Sequence, residues 1–341
     1  VCYEKVKLIK KVSMKRHFLY ILIYVFAVST FLFSQSSEYK IAGKIDIGGE
    51  SRWDYTAIDL PMNRLYVSHL NKVNVIDLKT NTIIGEISGL HGVHGIAFAD
   101  KFGKGFISNG MNDTVTVFDL KSLKILNYIH VTGKGPDAIV YDPFSQRVFT
   151  LNEQSANATV ISAKTDEVLG TITLVGTPEF SVSNNKGLLY VNIESKNLIE
   201  VINTKTLKTI NKIPITPGES PAGLAIDLKN NILFSGCHNK LMVIVNVKTG
   251  KIITTLPIGG RVDACCFDPL TNLAFSSNGE GTLTVIKEIS PKEFKVIDNV
   301  TTQKGLRTMA LDPVTHNIYL IGMLEGQNNS KSFGVLILEK K

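Results

Sequence analysis

The eight residues VTVFDLKS (115–122) alternate in character and then stop at Asp-Leu-Lys-Ser. That is how a half-buried strand running into a polar turn reads. The pattern returns as VNVIDLKT (73–80), ATVISAKT (158–165), IEVINTKT (199–206) and MVIVNVKT (242–249). A diverged copy, LTVIKEIS (283–290), and a last one, FGVLILEK (333–340), complete the series. Successive copies start 41 to 43 residues apart, except the last, which the polar insertion LEGQNNSKS (324–332) displaces. A period of about 42 with several short strands per unit is the mark of a β-propeller.

A second element travels with each copy: YVSH (66–69), FISN (106–109), FTLN (149–152), YVNI (190–193), FSGC (234–237), FSSN (275–278) and YLIG (319–322). Seven quartets imply seven blades, which would occupy roughly 290 residues. The expected fold is all-β, a seven-bladed propeller over residues 37–341 with four antiparallel strands per blade. Blades should open near residues 51, 91, 133, 177, 218, 260 and 303. The last unit ends without a fourth strand, whereas KIAGKIDIGG (40–49) matches the fourth strand KIITTLPIGG (251–260) and has no blade of its own. Residues 40–48 should therefore close blade seven from outside, joining the chain ends and leaving no open gap in the ring.

The quartets, the IDLKT-type third strands and the IGG or VTG closures together resemble the YVTN-repeat, YncE-like family of exported seven-bladed propellers. The resemblance covers about residues 38–341. It implies the fold strongly and function weakly, since such propellers serve many roles. The chain departs from the family at His69 and Cys237, where Asn is usual, and at the blade-seven insertion.

The first 36 residues read differently. MKRHFLYILIYVFAVSTFLFSQ, from Met14, joins a basic start (Lys15, Arg16) to an uncharged run from Phe18 to Phe33, followed by Ser34, Ser36 and Ser37. This is the grammar of a Sec-type signal peptide cleaved near 34–36, so export to the periplasm or medium is expected, with no membrane span after cleavage. Residues 1–13 read as sequence upstream of the start. Residues 1–36 carry six Lys/Arg and one Glu, so of the total charge of +7 only 7 − 5 = +2 belongs to the remainder. Net charge therefore offers little attraction for a polyanion. Cys237, Cys265 and Cys266 remain after trimming, and an odd count gives no disulfide framework.

Aligning the units on their quartets gathers polar residues that lie far apart in the chain. Before the first strands TAID, GIAF, AIVY, FSVS, ACCF and TMAL, the leading position holds Asp54, His94, Asp137, Glu179, Asp263 and Arg307, and Ala222 in blade five. First strands line the central channel, so these six ionisable residues should ring one mouth. Second-strand ends should add an outer ring of His69, Asn109, Asn152, Glu194, His238 and Asn278, with Trp53 adjoining Asp54. Asp54, His94, Asp137, Glu179 and Asp263 offer oxygen and imidazole ligands for a divalent cation. Arg307 offers a planar fork for a carboxylate or phosphate. On the opposite rim, Lys79, Lys121, Lys164, Lys205 and Lys248 recur in turns between third and fourth strands and read as turn residues.

Neither HExxH nor CxxCH occurs, and GESPAG (218–223) narrowly misses a nucleophile elbow. Three functions follow. The first is a binding module, expected to be monomeric, whose mouth takes a small ligand, a metal ion or a protein partner. The second is a metal-dependent, lactonase-like hydrolase with Glu179 or His94 as general base. Nucleic-acid binding, which the resemblance permits, suits an acidic mouth least.

Overall fold

The computed structural model describes residues 37–49, 52–326 and 330–341. The expected signal segment 1–36 lies outside them, as does the centre of the blade-seven insertion. Strands of four to ten residues form seven four-stranded antiparallel sheets, the seven blades expected from the repeat. In six blades the strands follow chain order from the channel outward. Blade seven runs Thr308–Leu311, Ile318–Glu325, Lys331–Lys340 and, outermost, Tyr39–Asp46. The closing strand thus pairs where it was expected, from Tyr39 opposite Lys340 to Asp46 opposite Gly334. The amide of Lys341 also donates to the carbonyl of Glu38 at 3.0 Å. The insertion lengthens this hairpin instead of looping off it, because pairing continues to Glu325 opposite Lys331.

Burial follows radial position. Second and third strands are covered on both faces by neighbouring blades, so Arg64–His69 and Lys72–Asp77 are buried along nearly their whole length. Fourth strands are mostly exposed, as in Thr82–Ile87. The core consists of apolar layers between blades: Phe275, Leu283 and Val285 of blade six pack with Leu306, Ile318 and Leu320 of blade seven. Continuous β-branched and aromatic runs suit strands buried on both faces.

The turns explain two sequence habits. Where first strands end, Asp59, Asp142, Asp227, Asp268 and Asp312 are buried and accept turn amides, such as those of Leu270 (3.0 Å) and Val314 (2.9 Å). After third strands, Asp77, Asp119, Asn203 and Asn246 accept the amides two and three residues on. The recurring lysine is the first of those two amide donors, which is Asx-turn chemistry.

Near the axis the inner strands crowd one another. A Cβ built on Gly223 would sit 2.5 Å from the amide nitrogen of Cys265 and 2.7 Å from the carbonyl carbon of Ala264, in the next blade's inner strand. Backbone cannot yield as a side chain can. Gly223→Ala is expected to lower stability by ~1–3 kcal/mol, the usual cost of overpacking. Gly43→Ala, whose Cβ meets nothing nearer than 4.0 Å, should stay within about 0.5 kcal/mol of the parent. Chemical denaturation of both variants checks the contrast, and equal effects would contradict the crowding.

Candidate functional site

Five inner strands shift register at the residue that follows their first: between Val93 and Ile96, Pro136 and Ile139, Pro178 and Ser181, Pro221 and Leu224, and Val262 and Ala264. His94, Asp137, Glu179, Ala222 and Asp263 all lie inside these bulges. A bulge bends the strand and re-aims one side chain, so the repeat delivers one residue per blade to the same rim. Asp54 and Arg307 stand just before Thr56–Asp59 and Thr308–Leu311. The third quartet residue secures the next blade's rim. The Ser108 hydroxyl donates to the Asp137 carbonyl, and that of Ser277 to the Arg307 carbonyl. The Asn192 amide donates to the Ala222 carbonyl at 2.8 Å.

Three rim residues meet. His94 Nδ1 hydrogen-bonds Asp54 Oδ2 and lies 3.0 Å from Asp137 Oδ1. The Tyr55 hydroxyl donates to Asp137 Oδ2 at 3.2 Å. Gly110 makes room for the imidazole, since a Cβ there would lie 2.6 Å from His94 Nε2. One ligand atom from each of Asp54, His94 and Asp137 fits within a 4.8 Å cluster. Next to them, Arg307 Nε lies 3.2 Å from Asp263 Oδ2, an ion-pair contact without hydrogen-bond alignment. Glu194 and His238 approach to 3.7 Å and are more exposed.

The acids feel burial and one another. Burial is the main cause that raises Asp54 to about 7, with Asp137 adding to it and the His94 hydrogen bond opposing it. Glu179 is pushed well above the usual range by burial, then by Asp137, Asp263, Glu194 and Asp54. Asp263 is raised by burial against the pull of Arg307. For His94, burial favours the neutral ring, but the hydrogen bonds to Asp137 and Asp54 outweigh it and raise the imidazole to about 10. Charged form and partner hold each other in place.

The outer ring does not form as expected. His69, Asn109, Asn152 and Asn278 are at most 3% exposed, and they bond inside their own blades. The Asn109 amide donates to Thr116 Oγ1 at 2.9 Å, that of Asn152 to Thr159 Oγ1 at 2.9 Å, and that of Asn278 to Thr284 Oγ1 at 3.0 Å. His69 pairs with Asn74 at 3.0 Å and lies on the Phe333 ring. These residues clamp hairpins. Trp53 also turns away from the rim, packing on Phe333 with centroids 5.6 Å apart.

Three residues at the mouth were not expected. Tyr55 and Phe180, from blades on opposite sides of the ring, meet across the channel with centroids 5.4 Å apart. They put an aromatic floor under the acids. They are the only aromatic residues directly following the leading position, which was the available clue. Glu153 opens a 3-10 turn, Glu153–Ser155, matching Glu194–Lys196. Its carboxyl is raised by burial and then by Asp137. Glu153 stands one place past the quartet end Asn152, as Glu194 stands one place past Ile193, and that equivalence was the available clue.

Fold and mouth define a seven-bladed β-propeller, a general binding scaffold. Neither a family model nor a curated protein matches the chain.

The His94 pairing has a pH signature. A folded-state value above the ordinary 6.5 means that the stabilisation is complete below about 6.5 and is lost as pH rises through about 10. Nitrogen-15 NMR at about pH 8 should find His94 still an imidazolium. The stability gap between the protein and His94→Gln should narrow from about pH 6 to pH 10. A neutral ring at pH 8, or a gap that widens, would contradict the pairing.

Proposed function

We propose that this protein is an exported propeller of the YVTN-repeat type that captures a divalent cation at its acidic mouth. The observation that carries this reading is the convergence of Asp54 Oδ2, Asp137 Oδ1 and His94 Nδ1, with ligand atoms within 4.8 Å of one another. Two carboxylates and an imidazole, whose Nδ1 gives up its proton as the ion takes its place between Asp54 and Asp137, suit a first-row transition ion such as manganese or zinc better than calcium, which prefers more oxygens. Glu179 and Asp263 face the same mouth and add negative field beyond the three ligands. Arg307 and His94 offset only part of four acids in a buried setting, so a cation entering the cluster relieves repulsion that the protein bears alone. Export rests on the segment from Met14 to Ser36 and family membership on the repeats.

Glu179 favours one second reading, a metal-assisted hydrolase acting on a lactone or ester. Its carboxyl is raised by burial and neighbouring acids, as suits a general acid or base. His94 is spent between two carboxylates and leaves that role to Glu179.

Elemental analysis of protein purified without chelator, then calorimetry with manganese, zinc and calcium chlorides, tests the cation reading. One equivalent of manganese or zinc per chain is expected. Asp54→Asn and Asp137→Asn should each weaken uptake about 10- to 100-fold, from ~1.5–3 kcal/mol per lost charge-assisted contact. Lys121→Ala, on the opposite rim, should change nothing. No uptake of any of the three ions, or equal uptake in both Asp variants, overturns it. Turnover in a lactone and ester screen that is lost in Glu179→Gln would establish the second reading.

A further inference from the structure

Below the Tyr55–Phe180 pair the channel changes character. A cavity of about 420 Å³ lies there, walled by Leu224, Ile226, Met309 and Leu311. It reaches Leu60, Pro269 and Pro313 in the turns after the first strands, so it opens on the face opposite the acids. That size falls in the ~300–1,000 Å³ range of small-molecule sites, and apolar walls are their usual lining.

The opening is apolar at its edge and basic around it. Leu60, Leu228, Leu270 and Val314 stand 42–74% exposed in these turns, an arrangement that a solvated rim alone does not favour. Exposed charge at the edge is mostly positive: Lys101, Lys186 and Lys229 stand in the turns after the first strands, against Asp100. The turn aspartates Asp59, Asp227, Asp268 and Asp312 are buried and occupied by turn amides. Lys186 and Lys229 are exposed in the same turns, and among the described residues neither ammonium is in an ion pair. Farther out, Lys205 lies 4.3 Å over the exposed Phe144 ring, which places a cation against an apolar group on this face.

We propose that this chamber binds a monomeric anionic amphiphile, an alkyl carboxylate whose chain fills the cavity up to the aromatic floor while its carboxylate stays at Lys186 and Lys229. Charge complementarity fixes the direction. An anionic head is repelled by Asp54, Asp137, Glu179 and Asp263 at the other mouth and attracted at this one. Depth favours a single inserted chain over a flat contact with a membrane or a second copy. At roughly 30 Å³ per water-sized group, the cavity of about 420 Å³ has room for about fourteen such groups, enough to take a ten-carbon chain whole.

Calorimetry with decanoate, octanoate and decyltrimethylammonium tests the site on the intact protein. Decanoate should bind one per chain, and each methylene removed should weaken binding about fourfold, from ~0.8 kcal/mol per buried methylene. Decyltrimethylammonium should bind more weakly. Lys186→Glu combined with Lys229→Glu should erase or reverse that preference and leave the chain-length dependence intact. Cys266, half-buried in the chamber wall while Cys237 and Cys265 are buried, gives a readout without substitution. Decanoate should slow its alkylation, and octanoate should do so less. Binding indifferent to chain length, or no protection of Cys266, overturns the proposal. So does co-sedimentation with phosphatidylglycerol vesicles without decanoate binding, or closure of this face by a dimer at assay concentrations.

Discussion

Seven strands that converge on one axis leave little room for side chains there, and much else follows from that shortage of space. At Gly95 an added Cβ would lie 3.0 Å from the backbone nitrogen of Ile139 and 3.1 Å from the Asp137 carbonyl oxygen, while Gly223 meets the next strand's backbone closer still. Blades three and six keep only Ala138 and Ala264 at this level. Space for anything larger exists one residue earlier, above the crowded level. The bulges put His94, Asp137, Glu179 and Asp263 at that point. The constraint that shrinks one position to glycine or alanine thus enlarges the choice at the one before it. Clamps from Ser108, Asn192 and Ser277 then tie the rim backbone at Asp137, Ala222 and Arg307 to the preceding blade.

Most of the architecture was legible because it rests on local pattern repeated seven times. Strand alternation, turn aspartates and the stray copy of a fourth strand at residues 40–49 are each readable without long-range information. The rim was legible as well, since equivalent positions in a repeat must share a face. The second-strand ends were not, because alternation says on which side a residue lies but not whether it faces solvent or its own hairpin. Cross-strand pairing decides that. Asn109 opposes Thr114 and Asn278 opposes Thr282, with Thr116 and Thr284 two residues farther along the same face. The spacing of Asn to a pair of alternating threonines is present in the sequence and marks an internal clamp. His69, with Asn74 instead of threonine, follows the same logic.

Contacts across the axis have no such local trace. Tyr55 and Phe180 are 125 positions apart, in units whose quartets give no reason to single out either. Their meeting depends on two large rings entering a space that Gly95, Ala138, Gly223 and Ala264 leave open. The Tyr55 hydroxyl then reaches Asp137, so one residue joins the aromatic floor to the acidic cluster above it.

That floor gives the mouth its electrostatics. A channel open from end to end would let water reach the carboxylates from below and screen them, and their charges would cost little. With Tyr55 and Phe180 beneath, Asp54 and Asp263 lose solvent on the channel side, and burial becomes the largest influence on both. Burial in turn strengthens every interaction that remains: the His94 pairing tightens, and mutual repulsion among the acids grows. The partition therefore sets a site poised for positive charge above an apolar space that excludes it. A Tyr55→Phe change would keep the floor while removing the hydrogen bond to Asp137, whereas Tyr55→Ala would open the partition. The electrostatic consequences of these two changes differ in kind. Only the second lets water under the whole cluster, so the acidic character of one mouth and the apolar character of the other depend on the same pair of rings.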